Sequence, residues 1–195
     1  MSRLVIATNN QGKVAEIKAI IGGFYDEVSS LGDAGIDLDV EEDGDTFEAN
    51  ARKKAVEAAA ITGCDTLADD SGLCVDALGG APGVYSARFA GEHATYADNN
   101  AKLLADMAEQ DERGAVFVCT LALVRGGEVI EARGQVRGEI TLREYGKDGF
   151  GYDPLFFVPA LGKTYAEISA AEKNAMSHRY LALAALKAKL TERQR

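Results

Sequence analysis

The sequence predicts an α/β fold built on a mixed β-sheet, and three observations carry that prediction. A short apolar run, "RLVIA" (Arg3–Ala7), is followed by a stretch of helical period and then by a second strand-like run, "DTLADDSGLCVDAL". Two longer strand-like stretches, "GAVFVCTLALV" and "EVIEARGQVRGEIT", meet at Gly126-Gly127, which reads as a hairpin. Strand–helix–strand early and a hairpin later call for parallel and antiparallel pairs in one sheet.

Each element follows from local chemistry. "KVAEIKAII" places Val14, Ile17 and Ile20/Ile21 at helical spacing and closes on Gly22-Gly23. "LDVEEDGD" (Leu38–Asp45) is too acidic and turn-rich for either regular structure and reads as a loop. A helix is expected from Thr46 through "FEANARKKAVEAAAIT" to Gly63, its alanines packing closely on one side. The Asp-Ser-Gly inside "DTLADDSGLCVDAL" predicts strand, turn, strand, and "GGAPGVYSARFAG" an irregular loop. "YADNNAKLLADMAEQ" has the pattern of a surface helix, and a helical region ends the chain after the loop "YGKDGFGYDPLFFVP".

A length of 195 residues, 47% hydrophobic and 27% charged, fits a single soluble domain spanning 1–195. No apolar run approaches the roughly 20 residues of a membrane span. The N-terminus lacks the apolar core of a secretion signal, so a cytoplasmic location is expected. Three scattered cysteines without a C-x-x-C, and only two histidines, point to reduced, buried thiols and away from structural zinc. A net charge of −10 speaks against a nucleic-acid surface. It does not exclude a polyanionic small substrate, since a local lysine cluster and a divalent cation can reverse the field in one cleft.

Four stretches could carry chemistry. "ATNNQGKV" is nearly a Walker phosphate loop, with Gly12-Lys13 in place but Ala7 where the first glycine belongs and Val14 where the magnesium hydroxyl belongs. It offers a helix N-terminus and a lysine to an anion, or else a plain N-cap with a surface lysine. In "ADDSG", Asp69 and Asp70 must point oppositely if they lie on a strand, so at most one faces a given cleft. "GFGYDP" places Phe150 and Tyr152 between glycines, suited to stacking on a flat base or to plugging the core. In "SAAEKNAMSHRYLALAALKAKL", Ser169 and Glu172 are spaced as a capping box. Lys173 and His178 would lie about 140° apart on a continuous helix, so serving one ligand requires a break near Asn174–Ser177.

Taken together, "TNNQGK", "EEDGDTF", "ADDSGLCVDALGGAPGVYSARFAG", "GFGYDPLFF" and "EKNAMSHR" resemble the inosine triphosphate pyrophosphatase family, in order and over essentially the whole chain. The resemblance implies a long curved mixed sheet flanked by helices, two lobes with a substrate cleft between them, and a homodimer. It implies a nucleotide substrate contacted by Thr8, Asn9, Asn10, Gln11, Gly12, Lys13, Lys54, Ser71 and Lys173, with no nucleic acid and no membrane as partner. Phe150, Gly151, Tyr152, Asp153, His178 and Arg179 match the base-reading groups. Glu42 and Asp70 match the carboxylates for Mg²⁺, with Asp70 as catalytic proton acceptor and Asp69 in support. The implied reaction splits non-standard purine triphosphates (ITP, dITP, XTP) into monophosphate and pyrophosphate. One departure stands out. The family often reads F-x-E-N-A where this chain has "FEANA", so Glu48 stands one position early and receives no role. A phosphomonoesterase with an aspartyl nucleophile in "DDSGL" would release orthophosphate, and a non-catalytic sensor would bind nucleotide without turnover.

Overall fold

In the computed structural model, which describes residues 2–21 and 23–192, the first apolar run forms β1 (Arg3–Ile6), followed by α1 (Gln11–Ile21) and β2 (Glu27–Ser30). Of the expected Gly22-Gly23 stop to α1, Gly22 lies outside the described residues. Next come α2 (Phe47–Thr62), β3 (Asp65–Val75), α3 (Tyr96–Asp106), β4 (Gly114–Arg125) and β5 (Glu128–Ile140). The chain continues with β6 (Phe156–Val158), β7 (Lys163–Thr164), α4 (Ala170–Lys173) and α5 (His178–Glu192). The seven strands run in the order β2-β1-β3-β4-β5-β6-β7. β1 is parallel to β2 and β3, whereas β6 is antiparallel to β5 and β7, so the sheet is mixed as expected.

The punctuation of α2 follows the sequence closely. Thr46 accepts from the Ala49 N–H at the start, and Gly63, at φ 63°, donates to Ala59 O at the end. Gly126 and Gly127 both take positive φ, the geometry that lets a two-residue turn match strand twist between β4 and β5. Ser169 and Glu172 form the expected capping box on α4. The helical region then breaks at 174–177 before α5 begins at His178.

Two features differ from the sequence reading. β3 runs unbroken through Asp-Ser-Gly, because its two aspartates find partners on neighbouring helices instead of folding back on their own backbone. The expected loop after it contains two short 3₁₀ segments, Asp76–Leu78 and Gly83–Arg88. All three cysteines are free; Cys119 is buried, while Cys64 and Cys74 are half-buried. No described helix is long and apolar enough to cross a membrane.

The chain divides into two compact units, and β3, β4 and β5 each contribute residues to both. The first comprises Met1–Asp70, Cys119–Gly134 and His178–Arg195; the second comprises Ser71–Val118 and Gln135–Ser177. In the first unit, strand alternation builds two cores. Leu4, Ile6, Leu67, Cys119, Leu121 and Leu123 pack with the apolar residues of α1 and α5. Val5, Ala7, Ala68 and Ala122 pack instead with Ala51, Ala55 and Ala58 of α2. The second unit has its own core, in which Phe117, Phe156 and Tyr165 form an aromatic cluster.

Candidate active site

The alternation that sorts the core also sorts the two aspartates. Leu67 faces the α1/α5 side and Ala68 the α2 side, so Asp69 follows Leu67 and Asp70 follows Ala68. Their partners bear this out. Asp69, fully buried, lies 3.1 Å from Lys13 Nζ on α1 and 3.2 Å from Arg179 Nη2 on α5. Asp70 accepts from Asn50 Nδ2 at 3.0 Å and stands 3.9 Å from Lys54 Nζ, both on α2.

These surroundings give one residue type two characters. Burial alone would raise the pKa of Asp69, but the charges of Lys13, Arg179 and Lys54 override it and hold the carboxyl well below the usual range. For Asp70 burial dominates and Glu42 adds to it. Lys54, Lys13 and the Asn50 hydrogen bond only partly offset this, and its pKa is raised. Asp69 is therefore a fixed anion, and Asp70 the more basic carboxylate of the two.

The first loop caps α1 and turns its lysine inward. Asn10 caps α1, its side chain accepting from the Lys13 N–H at 3.1 Å, and its own N–H donates to Thr8 Oγ1. Gln11 and Asn9 are exposed, while Thr8, Asn10, Gly12 and Lys13 are half-buried. Lys13 is no surface lysine; it reaches inward to Asp69. One turn on, the buried Glu16 pairs with Arg179, which thus sits between two carboxylates. Arg179 is 1% exposed, and the burial that would lower its pKa is outweighed by Asp69 and Glu16, so it stays charged.

Across the same unit's other face, Lys54 lies 2.5 Å from Glu42 Oε1. Burial opposes its charge, yet Glu42 and Asp70 together raise its pKa. An ammonium thus interacts with both carboxylates that the resemblance assigns to a metal. Among the described residues, no group of three or more His, Cys, Asp or Glu is placed to hold a metal unaided. Two hard carboxylates completed by water and substrate phosphate is the donor set that suits Mg²⁺. Glu48 turns elsewhere, accepting from Arg133 Nη1 at 2.7 Å and Thr120 Oγ1 at 3.3 Å.

In the second unit, the aromatics of "GFGYD" divide between their two possible uses. Tyr152 is buried in the core and its hydroxyl donates to Ser86 O at 2.7 Å. Phe150 is half-buried, and Lys173 Nζ stands 4.6 Å from its ring centre. Lys173 also pairs with the buried Asp153 at 2.5 Å, and Asp153 accepts from the Phe150 N–H at 2.8 Å. Gly149 is required here, since at φ 77° an added Cβ would lie 2.9 Å from Asp153 Cγ. Gly151 O accepts from Asn100 Nδ2 at 3.2 Å, tying the loop to α3. Ser71, half-buried on β3, belongs to this unit; His178, buried at the start of α5, belongs to the first.

Two residues of this geometry, Glu16 and Asn100, received no part in the sequence reading, and Asn50 entered it only as a member of "FEANA". Glu16 carries a faint signal, lying three residues after Lys13 and so on the same helical face. Asn50 and Asn100 look like ordinary helix-interior polar residues.

The chain is similar to known proteins over nearly its whole length. A model of the Ham1 family matches residues 4–189. The chain is 54% identical over 190 residues to a dITP/XTP pyrophosphatase of Geobacter sulfurreducens, covering 96% of each. It is 50% identical over 192 residues to that of Exiguobacterium sibiricum, covering 97% of each. Among solved structures it is similar to the Ham1 protein of Staphylococcus aureus, with 43% identity and a TM-score of 0.87 over 98% of this chain and 100% of that one. A HAM1 protein from Coxiella burnetii gives 41% identity and a TM-score of 0.88 over the same shares.

Proposed function

The chain belongs to the Ham1 family, and from that premise we propose that it hydrolyses non-standard purine nucleoside triphosphates (ITP, dITP and XTP) to the monophosphate and pyrophosphate. One observation carries the reading: half-identity along nearly the whole length with relatives named dITP/XTP pyrophosphatase, in a chain that keeps Asp70 beside Lys54 and Lys54 beside Glu42.

Asp70 is the proton acceptor. Its raised pKa makes it a stronger base than a surface aspartate, suited to taking the proton of a water that attacks the α-phosphorus. The α–β phosphoanhydride bond breaks and pyrophosphate leaves with the electron pair. Asp69 stays ionised and fixes the ammonium of Lys13, in the first turn of α1. An ammonium has three donors, so Lys13 can keep Asp69 and still meet a phosphate oxygen. Lys54 adds positive charge for the leaving group, and the α1 N-terminus adds its dipole; Lys173 takes a phosphate contact by resemblance. Glu42 and Asp70 are the residues that would hold Mg²⁺, which when bound neutralises phosphate charge. Thr8, Asn9, Asn10, Gln11, Gly12 and Ser71 take substrate contacts by resemblance.

Selectivity against adenine arises at the 6-position of the base; guanine shares the 6-keto group, so its exclusion involves the 2-position. Inosine and xanthine offer a keto oxygen, which suits donors at His178 and Arg179, whereas adenine offers an amino group that leaves such donors mispaired. Phe150, Gly151 and Asp153 complete the base-reading set by resemblance, whereas Tyr152 of the same motif is held in the core by its bond to Ser86. Mg²⁺ dependence and a homodimeric state are part of the same proposal and rest on family resemblance; a cytoplasmic location is proposed with them.

A panel of nucleoside triphosphates with Mg²⁺, read out as pyrophosphate, tests the function. Strong preference for ITP, dITP and XTP over ATP and GTP is expected. Orthophosphate as the first product, or equal rates on ATP, would overturn the reading.

A further inference from the structure

We propose that Asn50 is a positioning residue whose side-chain amide sets the spacing of Glu42 and Asp70, with Gly44 as its obligatory partner; this rests on the reading of those two carboxylates given above. Asn50 is 1% exposed and makes two directed hydrogen bonds. Its Oδ1 accepts from the Gly44 N–H at 2.8 Å, and its Nδ2 donates to Asp70 Oδ2 at 3.0 Å. The amide can take only one orientation, because the Gly44 N–H only donates and an ionised carboxylate only accepts. One buried group therefore ties the loop carrying Glu42 to the strand carrying Asp70.

Gly44 belongs to the same device. A Cβ there would lie 2.6 Å from Asn50 Oδ1 and 3.0 Å from Ala49 Cβ, so no other residue lets the loop come this close. Asn50 and Lys54 are one helical turn apart on α2: the amide engages Asp70 and the backbone two residues after Glu42, while the ammonium lies beside Glu42 and Asp70 themselves, the amide fixing position and the ammonium supplying charge. The arrangement divides the labour of Asp70 between its oxygens. Oδ2 is the anchored one, engaged by Asn50, and Oδ1 is the one that meets Lys54 and carries the chemistry. Asparagine suits this task where aspartate would not: a carboxylate at 50 could still accept from Gly44 but would set a second negative charge against Asp70.

The test uses Asn50→Asp, Asn50→Ala and Gly44→Ala, each with circular dichroism to establish folding. Three quantities are read: kcat for pyrophosphate release from dITP, Mn²⁺ affinity by electron paramagnetic resonance titration, and hydrogen exchange at the Gly44 N–H. Asn50→Asp and Gly44→Ala should each lower kcat and weaken Mn²⁺ binding about 10–100-fold, the usual cost of losing an outer-shell partner, with the nucleotide KM little changed. Asn50→Ala should speed exchange at Gly44, whereas Asn50→Asp should leave it protected. Wild-type kcat and Mn²⁺ affinity in Asn50→Asp, a rate loss at unchanged Mn²⁺ affinity, or unaltered Gly44 exchange in Asn50→Ala would each overturn the proposal. Should the α2 variants fail to fold, Gly44→Ala decides from the loop side. If the unaltered protein released no pyrophosphate, the functional reading would fall, while Mn²⁺ affinity and Gly44 exchange would still judge Asn50.

Discussion

Replacing Asp69 by asparagine removes a charge and almost no volume, so its effect isolates what that charge does. In the native protein the carboxylate has cations at 3.1 and 3.2 Å. At an effective dielectric of about 20 each contact is worth roughly 5 kcal/mol of Coulomb attraction, before desolvation is subtracted. Most of that offsets the cost of burying the ions, and removal of one partner of a buried pair typically costs about 3–5 kcal/mol net. With a urea slope of roughly 2 kcal/mol/M, the midpoint of unfolding should fall by about 1.5–2.5 M at pH 7. Because the folded pKa of Asp69 is depressed, its contribution is complete above the unfolded value near 3.9. It is lost as pH falls through the folded value. The gap between wild type and variant should therefore hold from pH 7 to about 5 and shrink below about 4. The control is Glu27→Gln, which breaks the exposed Arg3–Glu27 pair and should leave the midpoint in place. A midpoint for Asp69→Asn equal to that of wild type, or a gap that stays constant down to the most acid pH, would refute the reasoning.

Four further outcomes follow from the same geometry. Asp70→Asn should cut pyrophosphate release by about 10²–10⁴-fold, the usual weight of a general base, with the circular dichroism spectrum unchanged. Tyr152→Phe should destabilise by about 1–2 kcal/mol in urea unfolding, since Ser86 O loses its buried donor, while the nucleotide KM stays put. Gly134→Ala should lower the thermal midpoint sharply, because its Cβ would meet His178 O and Ala182 N, backbone of α5 that cannot retreat without leaving the sheet. Burial pushes the Cys119 thiol up to about 12, so a thiol reagent at pH 8 should leave it unlabelled until the protein is unfolded. Mass spectrometry of the labelled peptides reads the result directly.

The elements that the sequence made legible are those whose instructions are local. Thr46 and Gly63 bracket α2 by capping, Gly126-Gly127 turns one strand into the next, and Ser169 with Glu172 starts α4. What could not be read is whatever depends on a distant partner. Asp-Ser-Gly has every local reason to turn, yet β3 passes straight through it because Arg179, 110 positions away, and Asn50, 20 positions away, take up the carboxylates. The strands "EVSS" and "FFV" are too short to show a period of their own. At the site, the alternation rule foresaw that Asp69 and Asp70 would part company, but not which would be the anchor. Arg179 reads as a helix-surface cation until Glu16 and Asp69 are seen to enclose it. Tyr152 had two uses open to it in the sequence, and its hydrogen bond to Ser86 assigns it to the core.

The placement of two aspartates on opposite faces of β3 has a consequence for how this chain can vary. Their difference lies in odd and even position along one strand, with nothing in the residues themselves to distinguish them. One residue gained or lost between Leu67 and Asp70 would hand Lys13 and Arg179 to the wrong carboxylate and turn the other toward α2. Substitutions around the pair can be absorbed one at a time, whereas a single-codon insertion or deletion there exchanges both environments at once. Length changes in descendants or engineered variants of this protein should therefore collect in its surface loops, and the pleats of β3 should keep their count.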